Sequence, residues 1–458
     1  MKKFLLFALF FAFAIFCKSQ NYAVWSIADS LKNGAVAVVR QSTKTVTQTD
    51  ERNGTYKVVF VITILNDKGK ENAHFLAHED GFQSIKSFSG EVFDANGKSV
   101  KKFKKSDLNY IQLTQSYELA VNSKTIYLQC FNPVYPYTVR YEYEMKLQNG
   151  ILIYPTFVPV SNYDVAVENA SYILQVPDIK NVRYKQMLIN AEPQIAGNTM
   201  SWQIQNLKAI EHEPFAPADE VIPLVYISPE NFCVETVCGS MQTWETYGQW
   251  VQKLRSNRNI LPDKTKETVL DLIKNVADKR EKIRILYEFM QKNTHYVSIQ
   301  LGVGGWQPMQ ATEVARTGFG DCKALSNYMC ALLDVAEIPA FYTVISTVRR
   351  QFFHDFPSFS QANHVIVSVP LDADTVYLEC TNQLAPFGFI GNLAGHDALS
   401  VGAEKSFLFT IPKYLPKENK TENRADIALS SNGLAKMKVH TTLKNEDCEN
   451  LLYIINCR

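Results

Sequence analysis

An excess of charge of either sign is missing from this chain: 47 Lys and Arg face 46 Asp and Glu across 458 residues, for a formal net charge of +1. No dense Lys/Arg stripe breaks that balance, which argues against nucleic acid as a partner. Apolar runs of membrane-spanning length are lacking as well. The run Phe4 to Phe16 in "MKKFLLFALFFAFAIFCKSQ" falls short of the ~20 residues that a spanning helix needs. No fixed repeat recurs. The glycines of "GVGGW" are not followed by Lys-Ser/Thr, so they do not form a phosphate loop and read as a loop beside a site. "HFLAH" (His74 to His78) has two histidines four apart but no Glu in the zinc-protease position, and it lies in β-textured sequence, so no metal is expected there.

Hydrophobic residues make up 46% of the chain and charged residues 20%, which fits a packed core rather than disorder, with room for two or three domains. Two lysines ahead of the Phe4–Phe16 run make residues 1–19 a signal peptide, with cleavage after Ser19. Acylation at Cys17 is the competing reading, and Ile15 and Phe16 fit such a site poorly. The mature protein is therefore expected to be exported, periplasmic or secreted, without a transmembrane segment. Of the nine cysteines, eight remain after cleavage. Cys233 with Cys238 is the best local disulfide candidate in an oxidising compartment, and Cys448 with Cys457 is second.

Residues 20–238 read as an antiparallel β-sandwich domain. "TVRYEYEMKL" (Thr138 to Leu147) alternates with period two, "VFDANGKSV" carries an Asn-Gly turn, and "ILIYPTFVPV" and "ASYILQVPD" continue the series. Residues 239–411 read as an α+β core. "TWETYGQWVQKLRSN" opens with a Thr cap; Val269, Leu272, Ile273 and Val276 share one helical face, and Ile283, Leu286, Tyr287 and Met290 share another. Residues 412–458 read as a charged linker and the start of a further β-rich region, too short for an ordinary domain, as though the chain were part of something longer.

The chemistry centres on "GFGDCKA" (Gly318 to Ala324). Two glycines permit a sharp bend, Asp321 can cap the helix that follows, and Cys322 falls in its first turn on one stripe with Leu325 and Met329. Unpaired N–H groups and the positive end of the helix dipole favour a thiolate there, against the charge of Asp321. A thiol nucleophile also needs a base and a group to orient it. His364 opens the strand "HVIVSV", and Glu379 in "VYLEC" lies on the partner strand beyond an Asp-Ala-Asp turn, opposite or nearly opposite. His354 in the preceding loop is the spare base. Cys330 and Cys380 read as small buried hydrophobes or as half of a disulfide. Cys322 has no second cysteine in a Cys-x-x-Cys arrangement, which counts against a redox protein.

"GDCKALSNYMCALLDVAEIPAFYTVI", "NHVIVSV" and "YLECTNQ" resemble, in order and spacing, the transglutaminase-like superfamily of papain-fold cysteine enzymes. With the upstream "YVSIQLGVGGWQP" the chain is similar to the bacterial subgroup in which a β-rich domain of uncharacterised function precedes the core. The resemblance covers about residues 240 to 410 in its catalytic part. It implies a papain-like, transglutaminase-like α+β core with Cys322 as nucleophile, His364 as base and Glu379 as the acid that holds the ring. Most members carry Asp in a "DPT"-like stretch where this chain has "ECT", so its acid is one methylene longer. The family also suggests an oxyanion donor upstream, Gln300 or Trp306, with the backbone N–H of Cys322 as the second. The function implied is proteolysis, deamidation or acyl transfer at amide bonds of a peptide, protein or cell-wall peptide, without cofactor or metal. The alternative is a non-catalytic module that recognises a protein or cell-wall polymer.

Overall fold

The computed structural model describes residues 22–449 apart from 113–117, 122, 161 and 217, and gives no side-chain detail at 118–121, 218, 219, 300 and 449. The expected signal peptide, Cys17 and Cys457 lie outside the described residues. No described helix is long and apolar enough to cross a membrane.

The β-rich half is built on one eight-stranded sheet. Its spatial order is Gln194–Ala196, Thr199–Leu207, Val165–Gln175, Ala37–Gln48, Gly54–Ile64, Tyr137–Leu147, Gln83–Phe93, Ser99–Lys104. Alternation along Tyr137–Leu147 puts Val139, Tyr141, Met145 and Leu147 into the core, as period two requires. Across from this sheet lie a three-stranded sheet (Phe75–Glu79, Lys124–Leu128, Asn109–Ile111) and a pair (Val182–Met187 with Leu224–Pro229). Phe75, Ile126, Val225 and Ile227 from these small sheets share one hydrophobic cluster with Ile62, Tyr141 and Tyr172 of the large one, which makes the two-layer arrangement.

Two details depart from the sequence reading. Ala37–Gln48 runs parallel to Val165–Gln175, so the large sheet is not wholly antiparallel. The stretch 151–160 is irregular, with a single bridge from Phe157 to Val225, because Pro155 and Pro159 have no N–H to give to a ladder. The Asn-Gly turn is as expected, with Gly97 at φ +81°.

The second half packs helices against a five-stranded antiparallel sheet ordered Thr375–Leu378, His364–Pro370, Phe341–Ile345, Asp397–Val401, Ser406–Thr410. The helix Trp244–Arg255 starts at Thr243, whose side chain accepts from the Thr246 N–H in a reciprocal cap. In Lys279–Asn293 the buried face is Ile283, Leu286, Tyr287 and Met290, as periodicity required. In Asp263–Ile273 only Val269 and Ile273 are buried; Leu272 is exposed, one residue off the stripe that meets the core. The helix Cys322–Val335 is the centre of this half, buried along nearly its whole length.

The halves are interlocked. Phe232 and Val234, on the hairpin Asn231–Val234/Val237–Ser240, share a hydrophobic cluster with Trp244, Trp250, Cys322, Tyr342 and Val365. That hairpin carries the Cys233–Cys238 disulfide expected from sequence, while Cys130, Cys322, Cys330, Cys380 and Cys448 form no disulfide among the described residues, the expected partner of Cys448 lying outside them. After the core, Lys420–Leu429 and Ala435–Lys444 form an exposed hairpin.

Candidate active site

Cys322 is the first residue of its helix, and Asp321 is the cap, its carboxylate accepting from the Ala324 N–H at 2.9 Å. The second Asp321 oxygen pairs with the Lys323 ammonium, and both side chains are buried. Each glycine of the motif has a job. Gly318 ends the preceding helix Ala311–Thr317 in the left-handed region at φ +72°. Gly320 lies so close to the next helix that a Cβ would meet the Ala324 Cβ at 2.9 Å. No group among the described residues accepts a hydrogen bond from the Cys322 backbone N–H, one of the unpaired donors at this helix start.

His364 opens its strand and is joined to Glu379 by Nε2 to Oε2 at 2.7 Å. The ladder between the two strands ends at Val367 with Leu378. Continued in register, it sets Glu379 opposite Ile366 and diagonal to His364, and the longer arm of Glu spans that diagonal. The other Glu379 oxygen accepts from the Thr381 N–H at 2.9 Å and the Thr381 hydroxyl at 2.6 Å. The Glu379 carbonyl accepts from the Tyr287 hydroxyl at 2.7 Å. Ser326, one turn beyond Cys322, donates to the carbonyl of Val365 at 3.1 Å, which ties the cysteine helix to the histidine strand.

With Nε2 given to Glu379, Nδ1 is the ring nitrogen left for the thiol. Burial disfavours the imidazolium. The Glu379 carboxylate and the influence of Cys322 outweigh that effect, and the His364 pKa is raised to about 10. Burial likewise disfavours the Glu379 carboxylate, but the His364 charge and the hydrogen bonds from His364 and Thr381 prevail and lower its pKa. Both shifts favour the charged forms, imidazolium and carboxylate, over the neutral pair. Cys322 contributes to the His364 shift both as a hydrogen-bond partner and electrostatically, which makes the thiol a neighbour of the ring, and both residues line one cavity of about 110 Å³.

The walls of that cavity are largely aromatic: Tyr247, Trp250, Trp306, Tyr342 and Phe359. Trp306, a sequence candidate, borders the cavity, and its indole N–H has no acceptor among the described residues. Gln300, the other candidate, pairs through its backbone with Val121, and its side chain lies outside the described part. His354, the spare base, is elsewhere, with Nε2 3.0 Å from Oδ2 of Asp397. His74 and His78 have separate partners: His74 accepts from the Cys130 N–H at 3.1 Å and lies 3.2 Å from Glu71, and His78 meets Thr125 at 3.3 Å. Cys380 is fully buried and Cys330 half-buried, both unpaired. Sequence reasoning passed over Thr381, legible only as the hydroxyl two residues after the acid, and over the aromatic walls, which come from segments scattered between 247 and 359.

Residues 266–377 match the transglutaminase-like superfamily, and residues 50–211 match a domain of unknown function with a solved structure, DUF3857. The chain thus carries a segment that matches the transglutaminase-like superfamily, with a match to that β-rich domain ahead of it. Among solved structures it is similar to a candidate protease from Parabacteroides distasonis, at 13% identity and TM-score 0.61, covering 86% of this chain and 78% of the other. A candidate cysteine protease from Cytophaga hutchinsonii aligns at 10% identity and TM-score 0.24, over 81% of this chain and 91% of that one. No curated protein matches the sequence.

Proposed function

We propose that this chain is an exported cysteine enzyme that acts on amide bonds of peptides or proteins through Cys322, His364 and Glu379. The Cys322 sulfur attacks the carboxamide carbon, and the carbonyl oxygen takes up negative charge facing the Cys322 backbone N–H and the Trp306 indole N–H. The His364 imidazolium gives its proton to the departing amine, leaving a thioester on Cys322. Water, or a second amine, then attacks the thioester, and His364 takes up the proton released. Glu379 holds the ring and balances its charge throughout. The observation that carries this reading is the 2.7 Å His364–Glu379 contact, at the wall of the cavity that also holds a free cysteine at a helix start. Export rests on the two lysines and apolar run at the N-terminus.

The test is the intact mass of the protein after brief exposure to iodoacetamide at neutral pH. One carbamidomethyl group is expected, mapping to Cys322 and absent from Cys322→Ala. Equal labelling of Cys322→Ala, or an inert Cys322, leaves the core as a non-catalytic scaffold.

A further inference from the structure

Two tyrosines line the cavity beside Cys322. Tyr247 is 4% exposed and Tyr342 1% exposed; both line the cavity, and neither hydroxyl has a hydrogen-bond partner among the described residues. Neither phenol oxygen is sealed from solvent, so each is a donor that a ligand in the cavity can take in place of water. Burial pushes both phenols up, so each keeps its proton and can donate.

The rest of the lining is apolar or already neutralised. The Lys323 ammonium is taken by Asp321 and the His364 imidazolium by Glu379, so no charge is left to meet one on a substrate. Asn363 is the remaining polar side chain. Trp250, Trp306 and Phe359 supply the flat walls, and Phe359 packs against both indoles, with ring centroids 5.1 Å and 5.8 Å apart. An apolar cavity of roughly 150 Å³ takes a benzene ring. Space of about 110 Å³ with an open mouth suits one branched aliphatic side chain, or a phenyl ring that protrudes slightly.

From this lining we propose that the site selects an acyl segment with an uncharged, apolar side chain, which enters this cavity while the Tyr247 hydroxyl donates to a carbonyl of the same segment. The proposal rests on the catalytic reading above. A charged side chain would lose its water and find no counter-charge. Tyr247 is then a specificity-determining residue.

The experiment compares three blocked homodipeptidyl fluoromethyl ketones, Phe-Phe, Asp-Asp and Lys-Lys, with iodoacetamide as the small reference. In each ketone the Cys322 sulfur displaces fluoride from the methylene carbon, and in the reference it displaces iodide. Adducts are followed by intact mass and mapped to Cys322. The Phe-Phe probe is expected to react at least about a hundredfold faster than either charged probe, relative to iodoacetamide. Tyr247→Phe, nearly identical in shape, is expected to lower the ratio of Phe-Phe to iodoacetamide rates by about tenfold. Rapid iodoacetamide labelling with no discrimination among the peptides, or with a charged probe preferred, overturns this proposal and leaves the catalytic reading standing. An unchanged ratio in Tyr247→Phe removes the hydroxyl from recognition. A Cys322 inert to iodoacetamide overturns both readings together.

Discussion

Glu379 holds His364 from a diagonal position, and its length matters. Glu379→Gln keeps a hydrogen-bonding arm but removes the charge that sustains the imidazolium. The His364 pKa should fall from about 10, and Cys322 labelling by iodoacetamide near pH 6 should slow by roughly 10–100-fold. Glu379→Asp retracts the carboxylate by about one bond, ~1.5 Å, from a contact of 2.7 Å. Misplacement on this scale slows a reaction, but Asp keeps the charge, so its loss should be smaller than that of Gln, and equal rates in all three would leave a cysteine–histidine pair alone. Stability carries the same signature. A raised His364 pKa gives a contribution fully present below its ordinary 6.5 and lost as pH climbs towards about 10. The lowered Glu379 pKa gives one present above its ordinary 4.5 and lost as pH falls below that. Cys322→Ala lacks the thiol's own ionisation and also the part of the shift that Cys322 supplies, so its urea midpoint should drop as pH rises above 6.5, over a narrower window than in the wild type. The drop should be smaller once Glu379→Gln is added. Cys322, His364 and Glu379 were legible because their order and their strand and helix settings are local. Thr381 and Tyr287 were not, because what they contribute is a hydrogen bond to Glu379 that spacing alone does not reveal.

The helix that carries Cys322 depends on a buried ion pair two residues long. Asp321 caps the helix and neutralises Lys323, and neither side chain has more than 8% of its surface exposed. Asp321→Ala removes a cap worth about 1 kcal/mol and strands a buried ammonium, which costs about 3–5 kcal/mol more. Asp321→Asn keeps the cap and loses only the charge, so it should fall between. Adding Lys323→Met to Asp321→Asn should restore most of the loss, since an apolar replacement for a buried pair is often neutral. Urea midpoints of the four proteins decide this, and a double variant no better than Asp321→Asn refutes the pairing account. Elements of this kind, with caps and a 3.6-residue stripe, could be read from the sequence. The parallel pairing of Ala37–Gln48 with Val165–Gln175 could not, because partners such as Ala37 and Val165 are more than a hundred residues apart and no turn fixes their register. Leu272 shows the other limit: periodicity identified the right face of its helix, but only packing decides where that face ends.

At the scale of the whole molecule, the β-rich half holds both loops that flank the cavity. Phe82 meets Trp306 edge to face with ring centroids 5.5 Å apart, and the Glu235 carboxylate accepts from the Val303 N–H at 3.0 Å. On the other side, the strand Val182–Met187 grips the loop leading to Phe359. Arg183 donates to the carbonyls of Met241, Pro357 and Asp355, and its guanidinium lies over Phe356 at 5.0 Å. Lys185 pairs with Asp355 at 2.7 Å and lies over Phe353 at 4.9 Å. Partly exposed contacts of this kind are worth about 0.5–1 kcal/mol each, too little to decide whether the protein folds but enough to decide whether a loop opens. Local opening, unlike global unfolding, is sensitive to losses of this size. The double variant Arg183→Ala with Lys185→Ala should therefore leave the melting transition almost in place while loosening the backbone at Arg349 and the already exposed Arg350, at the loop's start, so that trypsin can cut there. Cleavage there should be about tenfold faster than in the wild type, read as the appearance of two fragments that meet at those arginines. The loop also has anchors within its own half: Trp244 stacks on Phe352 with centroids 4.9 Å apart and donates to the Phe353 carbonyl at 3.0 Å. If cleavage is no faster in the double variant, those anchors and the bond from Arg349 to the Tyr226 hydroxyl at 3.2 Å suffice, and the grip of Arg183 and Lys185 is only contact.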